Sequence, residues 1–207
     1  MDANAFKTAL NTVFTAMNME SKATNNFASR GIFDALKGFI STGVITTVDT
    51  GTVGGNSYSG TGTGTMNLDS TNLKNDLKNL FDSMESDDYG EDRELQFSID
   101  FATAFKNALT QENIISFVTV GTITVSGVES PYSGTGKGSF VDTGFAALQG
   151  GLYACFNTMK TQTGSSDNPN DYFAEQLSNL LLSYLTSGVI NSVLDSPLTG
   201  AGIGGII

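Results

Sequence analysis

The densest group of oxygen ligands in the chain is an acidic stretch, Glu85–Glu94, which holds six carboxylates. Carboxylates suit Ca²⁺, but the regular ligand spacing of a calcium-binding hand loop is absent. A solvated connection between two helices is therefore the favoured interpretation, and a cation site at 85–94 is the alternative. A polar stretch, Thr161–Asp171, is predicted to be a loop on the same grounds. No metal is expected elsewhere.

Cys155 is the single thiol, and the sequence contains no histidine. A cysteine nucleophile needs a base to activate it, and histidine is the usual one. Cys155 also occupies an apolar position of a predicted helix, which is typical of a buried and unreactive thiol. With one cysteine there is no internal disulfide, and we predict no catalytic role for this residue.

Glycine falls on every second residue in three stretches, 58–66, 131–140 and 197–206. Phosphate-binding loops space their glycines more widely and precede a helix, so this pattern does not indicate one. A period of two sends alternate side chains to opposite faces of a strand, which leaves one face as bare backbone. We predict strands whose glycine face packs closely against a neighbour; a flexible linker is the alternative. The glycines predicted to make this interaction are Gly60, Gly62, Gly64, Gly134, Gly136, Gly138, Gly200 and Gly202.

The charge composition of the chain limits the classes of partner that it is expected to bind. The 207 residues include 21 acids against 10 bases, which gives a net charge of −11. Nucleic acids and anionic membranes both attract basic surfaces, so neither is an expected partner. The remaining acids are scattered through loops and helix ends, and no pair suggests hydrolytic chemistry. No catalytic constellation and no cofactor are predicted.

The sequence lacks a basic segment followed by an apolar one at its start, and it has no apolar run of about 20 residues. We therefore expect a soluble chain made in the cytoplasm. If it reaches the outside of a cell, we expect it to leave by lysis or within a particle.

Three segments share one helical pattern. In each, apolar residues recur at i, i+4, i+7, i+8 and i+11, which predicts an amphipathic helix ending in Phe-x-x-Met. The terminal methionines are interpreted as fillers of gaps in the core. The three stripes are Phe6, Leu10, Val13, Phe14, Met17; Leu73, Leu77, Leu80, Phe81, Met84; and Leu148, Leu152, Cys155, Phe156, Met159.

A second helix is predicted in each unit, ending at Gly43, Gly121 or Gly188 in the left-handed conformation. In the middle unit this alignment requires four extra residues, about one helical turn. It also places Ile114, Phe117 and Val118 on the apolar face of that helix, by analogy with the corresponding residues before Gly43.

A β-branched run follows each of these glycines, and a turn then leads into the glycine-alternating stretch. Pro131 and Pro197 are predicted to stand at the first residue of their strands. The whole chain is predicted to be one α+β domain of three tandem α-α-β-hairpin repeats, 1–66, 67–140 and 141–207, with a shared core. A pseudo-threefold arrangement and a linear stack are both compatible with this order.

In style the sequence resembles virion structural proteins of tailed bacteriophages. The resemblance lies in a helix ending in Ile-Ser-Thr-Gly, then Val-Ile-Thr-Thr-Val, then Ser-Gly-Thr-Gly-Thr-Gly. It implies a non-catalytic head-decorating, neck or tail component in the virion, which contacts other virion proteins or further copies of itself. The segments that carry it are Phe39–Val48 with Tyr58–Thr65, Phe117–Val125 with Tyr132–Ser139, and Tyr184–Val193 with Leu198–Gly204.

Two other classes remain open at this stage. A secreted or surface-displayed adhesin could recognise glycan or protein through the variable tips of the hairpins, although no secretion signal is visible. An enzyme is the weakest hypothesis because the usual catalytic groups are missing.

Overall fold

A computed structural model describes residues 1–17, 24–68, 70–86, 92–111, 114–161 and 168–207. These residues form six helices and six antiparallel strands, so the predicted α+β class is confirmed. Two helices are followed by two strands, three times over. The helices are α1 (Ala3–Met17), α2 (Asn25–Ser41), α3 (Ser70–Met84), α4 (Arg93–Leu109), α5 (Phe145–Thr161) and α6 (Pro169–Ser187), and the strands are β1 (Ile45–Val53), β2 (Asn56–Met66), β3 (Ile115–Val125), β4 (Val128–Val141), β5 (Val189–Leu194) and β6 (Leu198–Ile206).

The six helices form a closed ring. Each packs against the helix before and after it in the chain, and α1 packs against α6. The predicted apolar stripes of α1, α3 and α5 face the core, where Leu10, Leu77 and Leu152 are fully buried. The helix pattern read from these three stripes is therefore confirmed.

The six strands form a closed barrel in chain order, with β6 pairing with β1. All neighbouring strands are antiparallel, and the three hairpins have the same register at their inner ends. The matching pairs are Ile45 with Gly64, Ile115 with Gly138, and Ile190 with Gly204.

Side chains cap the N-termini of the second helix of each pair. Thr24 accepts a hydrogen bond from the Phe27 amide, Asp92 from the Leu95 amide, and Asn168 from the Asn170 amide. Such caps satisfy amides that have no partner inside the helix and commonly contribute about 1 kcal/mol.

The prediction of left-handed glycines at the ends of these helices is wrong. The C-cap of α2 is Thr42, and Gly188 at the end of α6 has an extended backbone (φ −70°, ψ 155°). Glycine is required at these two positions because a neighbouring side chain lies too close to leave room for a Cβ atom. A Cβ on Gly43 would lie 2.9 Å from Met1 Cγ, and one on Gly188 would lie 2.0 Å from Phe140 Cε2.

The middle unit also differs from its prediction. Helix α4 ends at Leu109, and β3 begins at Ile115, so Phe117 and Val118 lie in a strand. Gly121 stands inside β3, opposite Gly60. The additional helical turn was inferred by aligning Gly121 with Gly43. In the hairpin register Gly121 corresponds to Gly51 instead, so no additional turn is present.

The hairpins differ in length at the end far from the helices. Gly54–Gly55 and Ser126–Gly127 have positive φ angles and form two-residue turns, as the twist of a tight hairpin requires. Pro197 precedes β6, but Pro131 lies inside β4, which corrects its predicted position at the strand start.

Strand β4 extends beyond its partner β5. Pairing with β5 covers only Gly136–Val141, and the Asp195 amide then donates to the Thr135 carbonyl. Backbone groups of alternate residues point to the same side of a strand. The backbone of Ser133 and Pro131 therefore faces the side on which no described strand pairs with β4.

Candidate functional site

The glycine face of all three ribbons points into the barrel. Along β2, Gly60, Gly62 and Gly64 share the inward face with Tyr58 and Met66, which are 3% exposed. The same alternation places the other predicted glycines inside: Gly134, Gly136 and Gly138 on β4, and Gly200 and Gly202 on β6.

The predicted close neighbour is therefore the chain itself. A Cβ added to Gly62 would lie 2.2 Å from Thr47 Oγ1 and 2.7 Å from Phe117 Cδ2. One added to Gly200 would lie 2.1 Å from the Thr50 carbonyl oxygen. A partner protein would have to enter the barrel to touch this face, so these glycines do not form an accessible interaction surface.

The barrel is filled from alternate strands. Strands β1, β3 and β5 supply the side chains in the middle of the interior, where β2, β4 and β6 present glycine; larger residues of these three strands, such as Tyr58 and Met66, face inward toward the strand ends. Eight strands enclose just enough room for side chains, and six enclose less. The filling side chains, at matching positions of the three hairpins, are Ile45, Ile115 and Ile190; Thr47, Phe117 and Ser192; and Asp49, Thr119 and Leu194.

One buried carboxylate lies in this interior. Asp49 is fully buried and accepts hydrogen bonds from Thr47 Oγ1 at 2.9 Å and from Ser192 Oγ at 2.8 Å. Ser192 is on β5, so its bond to Asp49 passes over the bare backbone of Gly202 on β6. Sequence analysis did not single out Asp49; an isolated acid within an alternating strand pattern was the available signal.

A second polar contact lies nearer the hairpin end. The Tyr58 hydroxyl and Thr119 Oγ1 are 2.7 Å apart and hydrogen-bonded, and the Tyr58 ring meets Tyr132 edge-on at 6.1 Å. Both Tyr58 and Thr119 are buried. These contacts satisfy the interior polar groups with protein partners, which gives them a structural role.

The outer wall of the barrel is exposed and carries branched apolar side chains. Helices meet the barrel at its end, with contacts from α6 to β6 and from α2 to β2. Val48 on β1 is paired directly with Ile203 on β6, and Val193 on β5 with Ala201 on β6. Val48, Val193 and Ile203 are 65%, 63% and 66% exposed. We call Val48, Val193, Ala201 and Ile203 the wall patch.

Charge is divided unevenly between the two layers. Within the six strands the charged residues are Asp49, Glu129 and Lys137, and Asp49 is buried. Most other charged side chains among the described residues lie in the helices, among them the ion pairs of Lys7 with Asp171 and Glu175. Asp195, between β5 and β6, is an acid at the barrel itself, where it accepts a hydrogen bond from Thr135 Oγ1 on β4.

Cys155 is buried in α5 and has a free thiol. Burial raises the pKa of this thiol to about 11, so the nucleophilic thiolate is scarce near neutral pH. The prediction that it is a buried apolar side chain is confirmed.

Part of the acidic stretch, 87–91, lies outside the described residues, as does 162–167 of the polar stretch. In the described part, Asp92 accepts a hydrogen bond from the Tyr153 hydroxyl at 2.7 Å. This bond, followed by the one from the Leu95 amide, lowers the pKa of Asp92. Glu94 pairs with Lys160 at 2.7 Å. Both carboxylates thus hold α4 to α5.

No group of three or more His, Cys, Asp or Glu side chains within the described ranges is placed to hold a metal ion. None of the described helices has the length and apolar character that a membrane crossing requires. In comparisons with known proteins, no family model, curated protein or solved structure matches the chain.

Proposed function

We propose that this protein is a non-catalytic assembly subunit of a tailed-bacteriophage virion, a head-decorating, neck or tail component. The observation that carries the proposal is the barrel wall, an exposed sheet surface with apolar side chains at adjacent positions of three strands. Antiparallel sheets usually turn polar residues toward water. An exposed apolar patch marks a contact surface for another protein.

The interior of the barrel supports the same proposal. Its side chains and glycines meet at contact distance, and its buried hydroxyls and carboxylate are hydrogen-bonded to one another. A barrel packed in this way serves as a rigid support. The phage context itself rests on the resemblance of the Ser-Gly-Thr-Gly-Thr-Gly segments.

Mass spectrometry of purified phage particles tests the virion role, followed by an image reconstruction that locates the chain. We expect it at a fixed copy number relative to the major capsid protein. Its absence from particles during a productive infection would contradict the proposal. Binding of the isolated protein to a glycan array, through Val125 and Val128 at the exposed tip of the β3–β4 hairpin, would favour the adhesin instead.

We further propose that the three α-α-β-hairpin units are copies of one module around a pseudo-threefold axis. The three equal hairpin registers support this, as do the equivalent links between units. In both cases the residue directly after the second strand of a hairpin bonds to the residue directly before the first strand of the next hairpin: the Ile207 amide and carbonyl bond to Val44 at 2.9 and 3.1 Å, and the Asn67 amide bonds to the Ile114 carbonyl at 2.7 Å.

A circular permutant tests the module proposal. The new chain begins at Asn67, joins Ile207 to Met1 by a short glycine-serine linker, and ends at Met66. If each junction between units is equivalent, the permutant folds with a melting temperature near that of the wild type. A matched permutant opened inside β3, between Phe117 and Val118, should fail to fold. Equal behaviour of the two permutants would contradict the proposal.

A further inference from the structure

We propose that the groove between α2 and α3 binds a glutamate or aspartate side chain of a partner protein, with its carboxylate held between Arg30 and Lys74. The inference rests on the proposed function, because it names a chemical feature of the partner of an assembly subunit. The groove has a volume of about 470 Å³, which is a size typical of pockets that hold ligand groups. Its lining residues are Arg30, Phe33, Asp34, Thr71, Lys74 and Asn75.

The groove lies at one of the junctions where consecutive units of the helical ring meet, which are α2 with α3, α4 with α5, and α6 with α1. At the α6–α1 junction, Lys7 Nζ lies 2.8 Å from Glu175 Oε2 and 3.2 Å from Asp171 Oδ2. At the α4–α5 junction, Lys160 Nζ lies 2.7 Å from Glu94 Oε1. Each of these two junctions therefore places a carboxylate of one helix beside a lysine of the next.

The α2–α3 junction has two cations at the corresponding positions. Lys7 and Lys74 correspond, because each directly follows the first residue of the apolar stripe of its helix. Arg30 of α2 and Glu175 of α6 correspond because both precede, by the same number of residues, the matching isoleucines of β1 and β5. The position that holds a carboxylate at the α6–α1 junction thus holds a guanidinium at the α2–α3 junction.

The described residues compensate these two cations only weakly. Arg30 Nε lies 3.9 Å from Asp34 Oδ2, which is long for an ion pair, and both side chains are more than 60% exposed. Exposed pairs of this kind contribute little to stability. Among the described acids, none lies within ion-pair distance of Lys74. The groove therefore presents two positive groups that a carboxylate from outside can neutralise.

The other lining residues suit an acidic side chain. Phe33 is 3% exposed and contributes apolar atoms to the groove, on which the methylene groups of a glutamate can lie. A guanidinium offers five donors in a fixed fork that matches a carboxylate, so Arg30 can bind a second carboxylate while Asp34 stays beside it. Thr71 and Asn75 add polar side chains from α3.

The charge of the whole chain favours a single carboxylate over a polyanion. The net charge is −11, so a nucleic acid or another long polyanion is repelled by the rest of the surface. A single carboxylate in the groove senses mainly the groups within a Debye length, about 10 Å at ordinary salt. Within the groove those groups are Arg30, Lys74 and Asp34, which together carry a positive charge.

A nuclear magnetic resonance titration of the isotope-labelled full chain tests the inference. The probe is a blocked serine-glycine peptide that contains two glutamates, and the matched ligand is the same peptide with glutamines in their place. We expect the glutamate peptide to shift the amide signals of α2 and α3 around the groove in a saturable way, and to bind more weakly as salt is added. The glutamine peptide should leave these signals unchanged.

Variants of the two cations test which residues bind the peptide. The double variant Arg30→Gln, Lys74→Gln should raise the dissociation constant of the glutamate peptide by at least about tenfold. Lys37→Gln is the matched control, since it removes an exposed lysine of α2 that does not line the groove, and it should bind like the wild type. Circular dichroism verifies that each variant is folded.

Arg30→Glu provides an independent variant. It gives the α2–α3 junction the residue type that lies beside Lys7 at the α6–α1 junction, so the new carboxylate should pair with Lys74 and exclude the peptide. Loss of binding in Arg30→Glu, with binding retained in Lys37→Gln, would support the inference.

Several outcomes would overturn the inference. These are a wild type without saturable shifts, equal shifts with the glutamine peptide, and binding that the double variant or Arg30→Glu leaves unchanged or that Lys37→Gln weakens equally. Tighter binding of free glutarate or inorganic phosphate than of the peptide would also overturn it, because the groove would then be a site for a small anion.

The outcomes are distinguishable from those of the proposed virion role. A chain that is incorporated into particles but does not bind the glutamate peptide retains the virion role and loses the carboxylate site. A chain that binds the peptide through Arg30 and Lys74 but is missing from particles retains the site and loses the virion role.

Discussion

The helical layer and the barrel fill their interiors in opposite ways. Between the helices, large side chains occupy the space, and rings such as Phe6 and Phe39 stack at 4.7 Å. Inside the barrel, three of the six strands present mainly glycine so that side chains from the other three can fit. Glycine inside this barrel is therefore a packing residue, required because a six-stranded barrel is narrow, whereas Gly54, Gly55 and Gly127 serve the turns.

The largest effect is expected from filling a barrel glycine. Gly62→Val should abolish folding, because even its Cβ would lie within 3 Å of Thr47, Phe117 and Asp49. Overpacking of a core commonly costs about 1–3 kcal/mol and sometimes more, and here three buried neighbours would have to move. Circular dichroism and thermal denaturation measure the result.

Gly38 in α2 provides the control for this substitution. A Cβ at Gly38 meets nothing within 4 Å, and glycine is a poorer helix former than valine. Gly38→Val should therefore keep the wild-type melting temperature or raise it. If Gly62→Val melted like the wild type, the idea of a barrel packed by glycine would be wrong.

The next largest loss of stability is expected from a substitution that leaves a cavity between the helices. Phe105→Ala should destabilise the protein by about 3–5 kcal/mol, because this ring is fully buried and lies 6.0 Å from the ring of Tyr184. Leu95→Ala, at a position 41% exposed in the same helix, should change little. Denaturant titration measures both, and equal losses would show that the core of the helical ring lies elsewhere.

A smaller effect is expected from the buried polar contact. Ser192→Ala removes one of the two hydroxyl donors of Asp49 and should cost about 1–3 kcal/mol, since a buried acceptor then loses a partner. Ser133→Ala, on the exposed face of β4, is the control. Urea unfolding curves that coincide for Ser192→Ala and the wild type would mean that this hydrogen bond adds nothing to stability.

The smallest effect is expected at Cys155. Cys155→Val nearly conserves volume and should cost less than about 1.5 kcal/mol at neutral pH. The folded state holds the thiol proton more tightly, with a pKa of about 11 against 9.0 for a free thiol. The stability that this difference supplies is complete below pH 9 and is lost as the pH rises toward 11.

The pH dependence can be isolated by comparing the two proteins. The wild type should lose stability relative to Cys155→Val between pH 9 and about 11, measured as the difference in their urea midpoints. A constant difference across this range would show that the buried thiol does not titrate differently in the folded state.

The sequence predicted the helices well because their signal is local. Five apolar residues at helical spacing defined α1, α3 and α5, and burial of Leu10, Leu77 and Leu152 confirms that face. The glycine ribbons were likewise predicted as strands from their period of two. Both patterns depend only on the geometry of one element.

The errors arose where glycine serves two different purposes. A helix end and a close approach between strands both require glycine, and sequence alone does not separate them. Gly121 was therefore assigned to a helix end, although the β-branched run around Val118 and Val120 favours a strand. The closure of the barrel places the bare face inside, and closure depends on the pairing of β1 with β6, which no local pattern reveals.

The length of β4 has a consequence for growth of the sheet beyond one molecule. Its first residues, next to the turn that joins it to β3, have no strand paired on the side away from β3. A strand from a second molecule that paired with this edge would need backbone amide donors, and Pro131 has no amide hydrogen. Pro131 thus removes one backbone donor from this edge, which disfavours the addition of a strand from a second molecule along hydrogen bonds.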